Sequence, residues 1–126
     1  MAAPEMFDDP PDPDAIAALL AAERDHLLFA YLEGKPVGMA RAVELLRPDT
    51  LRRQMFLYEI GTEEQFQRRG VARALIDELL SLSRKRDCLE MFVLTGEGNE
   101  PAMRLYQATG GVRENMDDVM FVWDLA

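Results

Sequence analysis

The chain has 126 residues, 48% hydrophobic and 29% charged, enough for one continuous core and too few for a second domain, so residues 1–126 are expected to form one. A formal net charge of −9, one cysteine and one histidine argue against nucleic acid as the main partner, exclude an internal disulfide, and leave no metal expected. No apolar run approaches the ~20 residues of a membrane span and the Met1–Glu5 start has neither a basic nor an apolar segment, so no membrane partner is expected and cytoplasmic residence is.

Asp12 can cap a helix with Pro13 in its first position, running to about Glu23 with Ile16, Leu19, Leu20 and Glu23 along one stripe. Leu27 to Leu32 reads as a buried strand, Glu33-Gly34-Lys35-Pro36 as a turn, and Val37 to Leu46 as the second arm of a hairpin. On that arm Gly38, Ala40 and Ala42 share a face by alternation, leaving room for a closely packed helix. Met55 to Ile60 is the next strand, apolar except for Glu59, and Gly61 to Arg69 is a loop. Val71 to Arg86 is the clearest helix, with Ala72, Leu75, Ile76, Leu79 and Leu80 on one face. Leu89 to Leu94 follows as a strand that the helical crossover sets parallel to the previous one. Asn99 can cap a short helix with Pro101 in its first turn and Gly110 at its end, and Val119 to Leu125 reads as a closing strand. The expected fold is α/β, a mixed sheet with helices on both faces. His26 falls in a connector, and Cys88 is expected in the core rather than as a nucleophile.

Charge is unevenly spread. Residues 67 to 86 hold Arg68, Arg69, Arg73, Arg84, Lys85 and Arg86 against Asp77 and Glu78 alone, whereas the first 25 residues carry seven carboxylates against Arg24. A basic centre suits a phosphorylated ligand, and acidic flanks suit a cationic one or serve only solubility. Within the basic centre lies Gln67-Arg68-Arg69-Gly70-Val71-Ala72, between a strand and an amphipathic helix. A turn leading directly into a helix start offers backbone N–H groups without internal partners at the positive end of the helix dipole. Gly70 permits close approach of a phosphate, and Arg68, Arg69 and Arg73 add charge. No Gly-Lys-Ser/Thr and no three-glycine fingerprint is present, so a pyrophosphate is favoured over a nucleoside triphosphate with magnesium.

This stretch resembles the coenzyme A pyrophosphate loop of the Gcn5-related N-acetyltransferase (GNAT) superfamily. Downstream, Asn99-Glu100-Pro101-Ala102-Met103-Arg104-Leu105-Tyr106 resembles the superfamily's Asn-x-x-Ala-x-x-x-Tyr segment, at the separation its strand-helix-strand core requires. Tyr58-Glu59-Ile60, Pro101-Ala102-x-x-Leu105-Tyr106 and Arg113-Glu114 before Met120-Phe121 look most like the aminoglycoside 3-N-acetyltransferase I type. The resemblance implies a GNAT acyl-CoA N-acyltransferase fold with a shortened N-terminus lacking the first strand. It also implies acetyl-CoA as cosubstrate and an amine as acceptor. Gly110-Gly111 departs from the family's common Gly-aromatic pair.

Acetyl transfer to an amine requires a base for the ammonium, a donor for the developing oxyanion and an acid for the departing thiolate. Glu59 is the expected base, acting through water; its other reading is a strand glutamate facing solvent or paired with an arginine. Tyr106 is the expected acid, since a phenol near pKa ~10 can serve a thiol near ~8.5, though an aromatic on a helix face also simply packs. The oxyanion is expected at a backbone N–H among Ile60, Gly61 and Thr62, where the family's two central strands diverge around pantetheine; Gly61 suits that opening. Asn99 caps its helix and, by resemblance, also meets the coenzyme. The function so implied is an N-acetyltransferase acting on a small cationic acceptor, such as an aminoglycoside. Acetylation of a protein or peptide amine, and a non-catalytic acyl-CoA-binding module, are the alternatives. A homodimer or the Met6-Phe7 segment is expected to cover the edge of the Leu27 to Leu32 strand.

Overall fold

The structure, a computed structural model, describes residues 7, 9–114 and 117–126. Helix α1 spans Pro13–Ala21, and the Asp12 carboxylate caps it by accepting from the Asp14 N–H at 2.9 Å. The helix ends before Glu23, none of its residues is buried, and Leu20 of the expected stripe is exposed. Strands β1 (Asp25–Leu32) and β2 (Lys35–Leu45) are joined by Glu33 and Gly34, both with positive φ. That is the two-residue turn whose twist matches a hairpin. Strand β3 covers Arg53–Thr62, a short 3-10 turn Glu64–Phe66, helix α2 Val71–Lys85, strand β4 Cys88–Val93 and helix α3 Glu100–Ala108.

The sheet order is β1-β2-β3-β4, antiparallel except for the parallel β3/β4 pair that the α2 crossover joins. Cross-strand partners point to the same side of a sheet. Ala40 with Ile60, Ala42 with Leu57 and Glu44 with Met55 therefore face α2, which contributes Val71, Leu75, Ile76 and Leu79 to the same core. Leu105 and Tyr106 of α3 pack on this core as well. The other face carries Met39 against Phe7, Leu27 and Phe29, and a stacked pair of Phe56 and Phe92 at 4.7 Å.

The small-residue face of β2 does what its alternation predicts. A Cβ on Gly38 would lie 2.6 Å from Val71 Cγ1 and 3.3 Å from Leu75 Cδ1, so glycine lets the first turn of α2 lie directly on the sheet. At the opposite end of that row sits Glu44, fully buried. Its carboxylate accepts from His26 Nε2 at 2.5 Å, from Arg53 Nη1 at 3.0 Å and from Arg86 Nε. Burial alone would push the Glu44 carboxyl up; the three hydrogen bonds and the charge of Arg86 hold it below the ordinary carboxylate range. His26 thus belongs to β1 and not to a connector.

One expected element is absent. Val119 to Leu125 forms no strand, and its apolar side chains are exposed. Hydrophobic alternation marks a segment able to pair but says nothing about which edge receives it. Met6, expected to help cover the β1 edge, lies outside the described residues; Phe7 packs on the Met39 face instead.

Candidate active site

The site is built around a discontinuity in β3. Arg41 pairs with Glu59 and Ala42 with Leu57, leaving Tyr58 as an extra residue. Such a bulge bends its strand and increases the local twist. The β3/β4 ladder ends at the same point, with Leu57 opposite Val93. Residues 58–62 of β3 continue alongside β2 alone, among the described residues. A gap between β3 and β4 therefore opens at Tyr58, three residues before Gly61, the glycine that suits such an opening.

Across β3, alternation separates the residues beyond the bulge. Glu59 shares its face with Arg41, and Gly61 with Met39, on the side away from α2. Ile60 faces the α2 core, and Thr62 is the cross-strand partner of Gly38. Arg41 places its guanidinium 4.7 Å from the centre of the Tyr58 ring, and its buried Nε has no hydrogen-bond partner among the described residues. Glu59 is half-buried.

The loop after β3 carries the phosphate-type geometry. Arg68 has φ 65° and Gly70 φ 78°; the first is a left-handed conformation that a non-glycine residue adopts only at a cost. Gly70 is the cap of α2 and supplies no side chain, and the first helical bond runs from the Ala74 N–H to the Gly70 carbonyl at 3.0 Å. The N–H groups of Val71, Ala72 and Arg73 precede that bond and face outward along the axis, where the helix dipole is positive. Arg68, Arg69 and Arg73 are exposed around them, Arg69 resting over the Phe66 ring at 5.7 Å. Gln67 ties the loop to the strand end through Nε2 and the Thr62 carbonyl at 3.4 Å. Val71 is buried under Gly38 and Ala72 is half-buried, fixing this first turn to the sheet.

The basic centre of the sequence thus divides in two. Fifteen residues of helix put Arg84 and Lys85 roughly 20 Å from the loop, and Arg86 is held by Glu44. Only Arg68, Arg69 and Arg73 remain at the loop.

On α3, Asn99 caps the helix by accepting from the Ala102 N–H at 3.2 Å. Tyr106 is half-buried against the α2 core, and burial pushes its phenol up. The chain then turns back tightly: the Gly111 N–H donates to the Tyr106 carbonyl at 2.8 Å, and a Cβ on Gly111 would meet that oxygen at 2.9 Å. The departure from the family's Gly-aromatic pair thus accompanies a close approach that suits glycine. Tyr106 and Ile60 each pack against the core that contains Val71, whereas Glu59 lies on the opposite face of β3. The two expected proton-transfer residues therefore lie on opposite sides of the sheet.

Sequence reasoning did not single out the Tyr58 bulge, Arg41 or the Glu44 cluster. Glu44 had a signal, since it continues the alternation of Gly38, Ala40 and Ala42 into a buried position. The bulge had none, because an inserted residue leaves the apolar run of β3 unchanged. Cys88 is a buried free thiol pushed up by burial, which agrees with a packing role. Among the described residues no helix is long and apolar enough to cross a membrane.

A mixed sheet whose parallel pair opens beside an uncapped helix start defines an acyltransferase architecture. Residues 1–111 match the acetyltransferase (GNAT) family, and the chain belongs to it. It is similar to human (Homo sapiens) N-acetyltransferase 8, with 31% identity over 81 residues, covering 64% of this chain and 36% of that protein. The chain thus matches about a third of the length of the curated relatives it resembles. An aminoglycoside acetyltransferase from an uncultured soil metagenomic sample, in complex with sisomicin, shares the fold with a TM-score of 0.85 at 23% identity, over 97% of this chain and 80% of that one. The aminoglycoside N-acetyltransferase AAC(6')-Iy in complex with CoA superposes with a TM-score of 0.75 at 24% identity, over 90% and 75%.

Proposed function

We propose that this chain transfers the acetyl group of acetyl-CoA to a primary amine of a small cationic acceptor of the aminoglycoside kind. The observation that carries the reading is the uncapped start of α2, with Gly70 left-handed and Arg68, Arg69 and Arg73 around it, beside the gap between β3 and β4. The coenzyme pyrophosphate would take the N–H groups of Val71, Ala72 and Arg73, with Gln67 and the arginines about it. Its pantetheine arm would run into the gap and bond to the edge of β3 around Ile60 to Thr62, as an added strand bonds to a sheet edge. Asn99, at the start of α3, would meet the same arm. Family membership and the CoA complex of a protein with this fold support the cosubstrate.

In the proposed reaction the amine attacks the thioester carbonyl directly and no acyl-enzyme forms. Glu59, on the face away from α2, takes the ammonium proton through a water. The oxyanion is met by a backbone N–H among Ile60, Gly61 and Thr62, on the stretch of β3 released by the bulge. Carbon–sulfur cleavage follows; Tyr106, on the α2 side, protonates the leaving thiolate, and the surplus proton on the new amide nitrogen passes through water to restore the phenol. Opposite faces suit opposite roles, because the amine approaches the carbonyl carbon from one side and the thiolate departs from another. A phenol raised by burial stays protonated at neutral pH, as an acid must. The acidic N-terminal segment and the sisomicin complex of the soil protein favour a polycationic acceptor. That residues 1–126 form one domain and act in the cytoplasm belongs to the same proposal.

The test is acetyl-CoA-dependent thiol release over a panel of aminoglycosides, polyamines, amino acids and peptides, with coenzyme binding measured in parallel. Release with aminoglycosides or polyamines is the expected result. Release only with peptides would transfer the activity to a protein amine. Tight binding without release from any amine would leave an acyl-CoA-binding module.

A further inference from the structure

In a regular strand successive side chains point to opposite faces, so Tyr58 and Glu59 could not both reach one residue of β2. The bulge removes that restriction. Two residues of β3 oppose one of β2 there, and Arg41 meets both: its guanidinium lies 4.7 Å from the centre of the Tyr58 ring, and its register partner is Glu59. Cross-strand partners hold their Cβ atoms about 5 Å apart, so the side chain braced on Tyr58 starts beside the expected base.

Packing alone does not call for an arginine at this position. Its neighbours on this face are Met39 and Val43 on β2 and Leu27 on β1, a row that an aliphatic side chain would complete. Its buried Nε has no hydrogen-bond partner among the described residues, a costly state for a polar donor. A cation kept at that cost on an interior strand, opposite a carboxylate at the gap, marks a role at that carboxylate.

The other titratable groups around Glu59 on this face supply no cation. Strand β1 carries Asp25, diagonal to Arg41, and Tyr31; β3 itself carries Tyr58; β4 carries Glu90, which accepts from Gln54 Nε2 at 2.9 Å. Helix α1 lies along β1 and holds one titratable group, Asp14, while α2 packs on the opposite face of the sheet. Against these carboxylates and phenols, the positive charge set in register with Glu59 is that of Arg41.

We propose that Arg41 is a positioning residue for the base: braced on the Tyr58 ring across the bulge, its guanidinium keeps the Glu59 carboxylate ionised and sets the lowest pH at which the acceptor ammonium is deprotonated. This role rests on the reading of Glu59 as the base. An opposite charge within about 4–6 Å favours the ionised carboxylate. The same charge disfavours the ammonium form of the incoming amine, so its proton is more easily taken.

Two readouts on the full chain distinguish the role of Arg41 from that of Glu59. Carbon-13 NMR of the glutamate carboxyls, with the Glu59 resonance assigned by its loss in Glu59→Gln, gives the Glu59 titration midpoint without turnover. The acidic limb of kcat, measured with acetyl-CoA and an aminoglycoside, reports the base in the enzyme–substrate complex. In Arg41→Met both should rise by about one pH unit, the low end for a lost neighbouring charge because the Tyr58 ring is exposed. Acetyl-CoA affinity by calorimetry should stay that of the wild type. Arg41→Lys should bring both midpoint and limb part of the way back, since it restores the charge but not the planar stack. A merely structural arginine would lower stability or the kcat plateau and leave the midpoint in place. An unmoved Glu59 midpoint therefore overturns the role of Arg41 alone. A midpoint that rises while the kcat limb stays put overturns Glu59 as the base, and the positioning role falls with it. Should Arg41→Met not fold, Tyr58→Leu takes its place: the guanidinium loses its brace, and the Glu59 midpoint should rise by a smaller amount. No rise in that variant overturns the proposal.

Discussion

Glu44 places a full charge inside the core, and its three partners explain how it survives there. Removing the carboxylate while leaving Arg53 and Arg86 in place abandons two guanidinium groups, so Glu44→Ala should destabilise the fold by about 3 kcal/mol in urea unfolding. The arginines are each about a third exposed, which places the cost at the low end for a broken buried pair. The pH dependence has a defined sign. The folded-state carboxyl is held below its ordinary value, so above that value, near pH 4.3, the stabilisation is fully present. As the pH falls through the lowered folded value the stabilisation is lost. Wild-type stability should therefore drop on acidification over this window, and Glu44→Gln should show a shallower drop measured by the same unfolding.

At the scale of elements, the contact between β2 and the first turn of α2 ties packing to the proposed coenzyme site. In Gly38→Ala the new methyl must displace Val71, a β-branched and buried side chain 2.6 Å away. Overpacking of this kind costs about 1–3 kcal/mol. Because the displaced residue opens α2, the variant should raise the KM for acetyl-CoA several-fold while leaving kcat at saturation nearly unchanged. Gly70→Ala makes a useful contrast. Its added Cβ meets nothing within 4 Å, but φ is 78°, so the cost is conformational, about 1 kcal/mol, and calorimetry should show weaker coenzyme binding without a packing defect. These elements were legible in the sequence for specific reasons. The helical spacing of Leu75, Ile76 and Leu79 and the caps Asp12 and Asn99 each encode one local choice that the structure makes. The small-residue alternation of β2 does the same. The bulge at Tyr58 and the fate of residues 119–125 were not legible, because both depend on which edge a strand meets and not on its own pattern. For the site, motif residues marked the loop and α3, while the relation of Glu59 to Tyr106 across the sheet required the register.

Across the whole molecule, charge should govern the encounter with substrate. A chain of net charge −9 would attract a polycation at long range and repel an anionic coenzyme, an effect that Arg68, Arg69 and Arg73 offset at the loop. Salt screens such attraction beyond about 10 Å at 0.1 M. The value of kcat/KM for an aminoglycoside should therefore fall as sodium chloride rises, whereas that for a neutral hydroxylamine-type acceptor should change little; equal slopes would remove electrostatic steering from the account. The central claim, that acetyl transfer occurs at the gap between β3 and β4 with proton transfers from both faces, is tested most directly by steady-state kinetics on Glu59→Gln and Tyr106→Phe alongside calorimetric binding of acetyl-CoA. Each variant should lose about 100-fold or more in kcat while binding the coenzyme as the wild type does. Turnover that survives both substitutions would contradict the account.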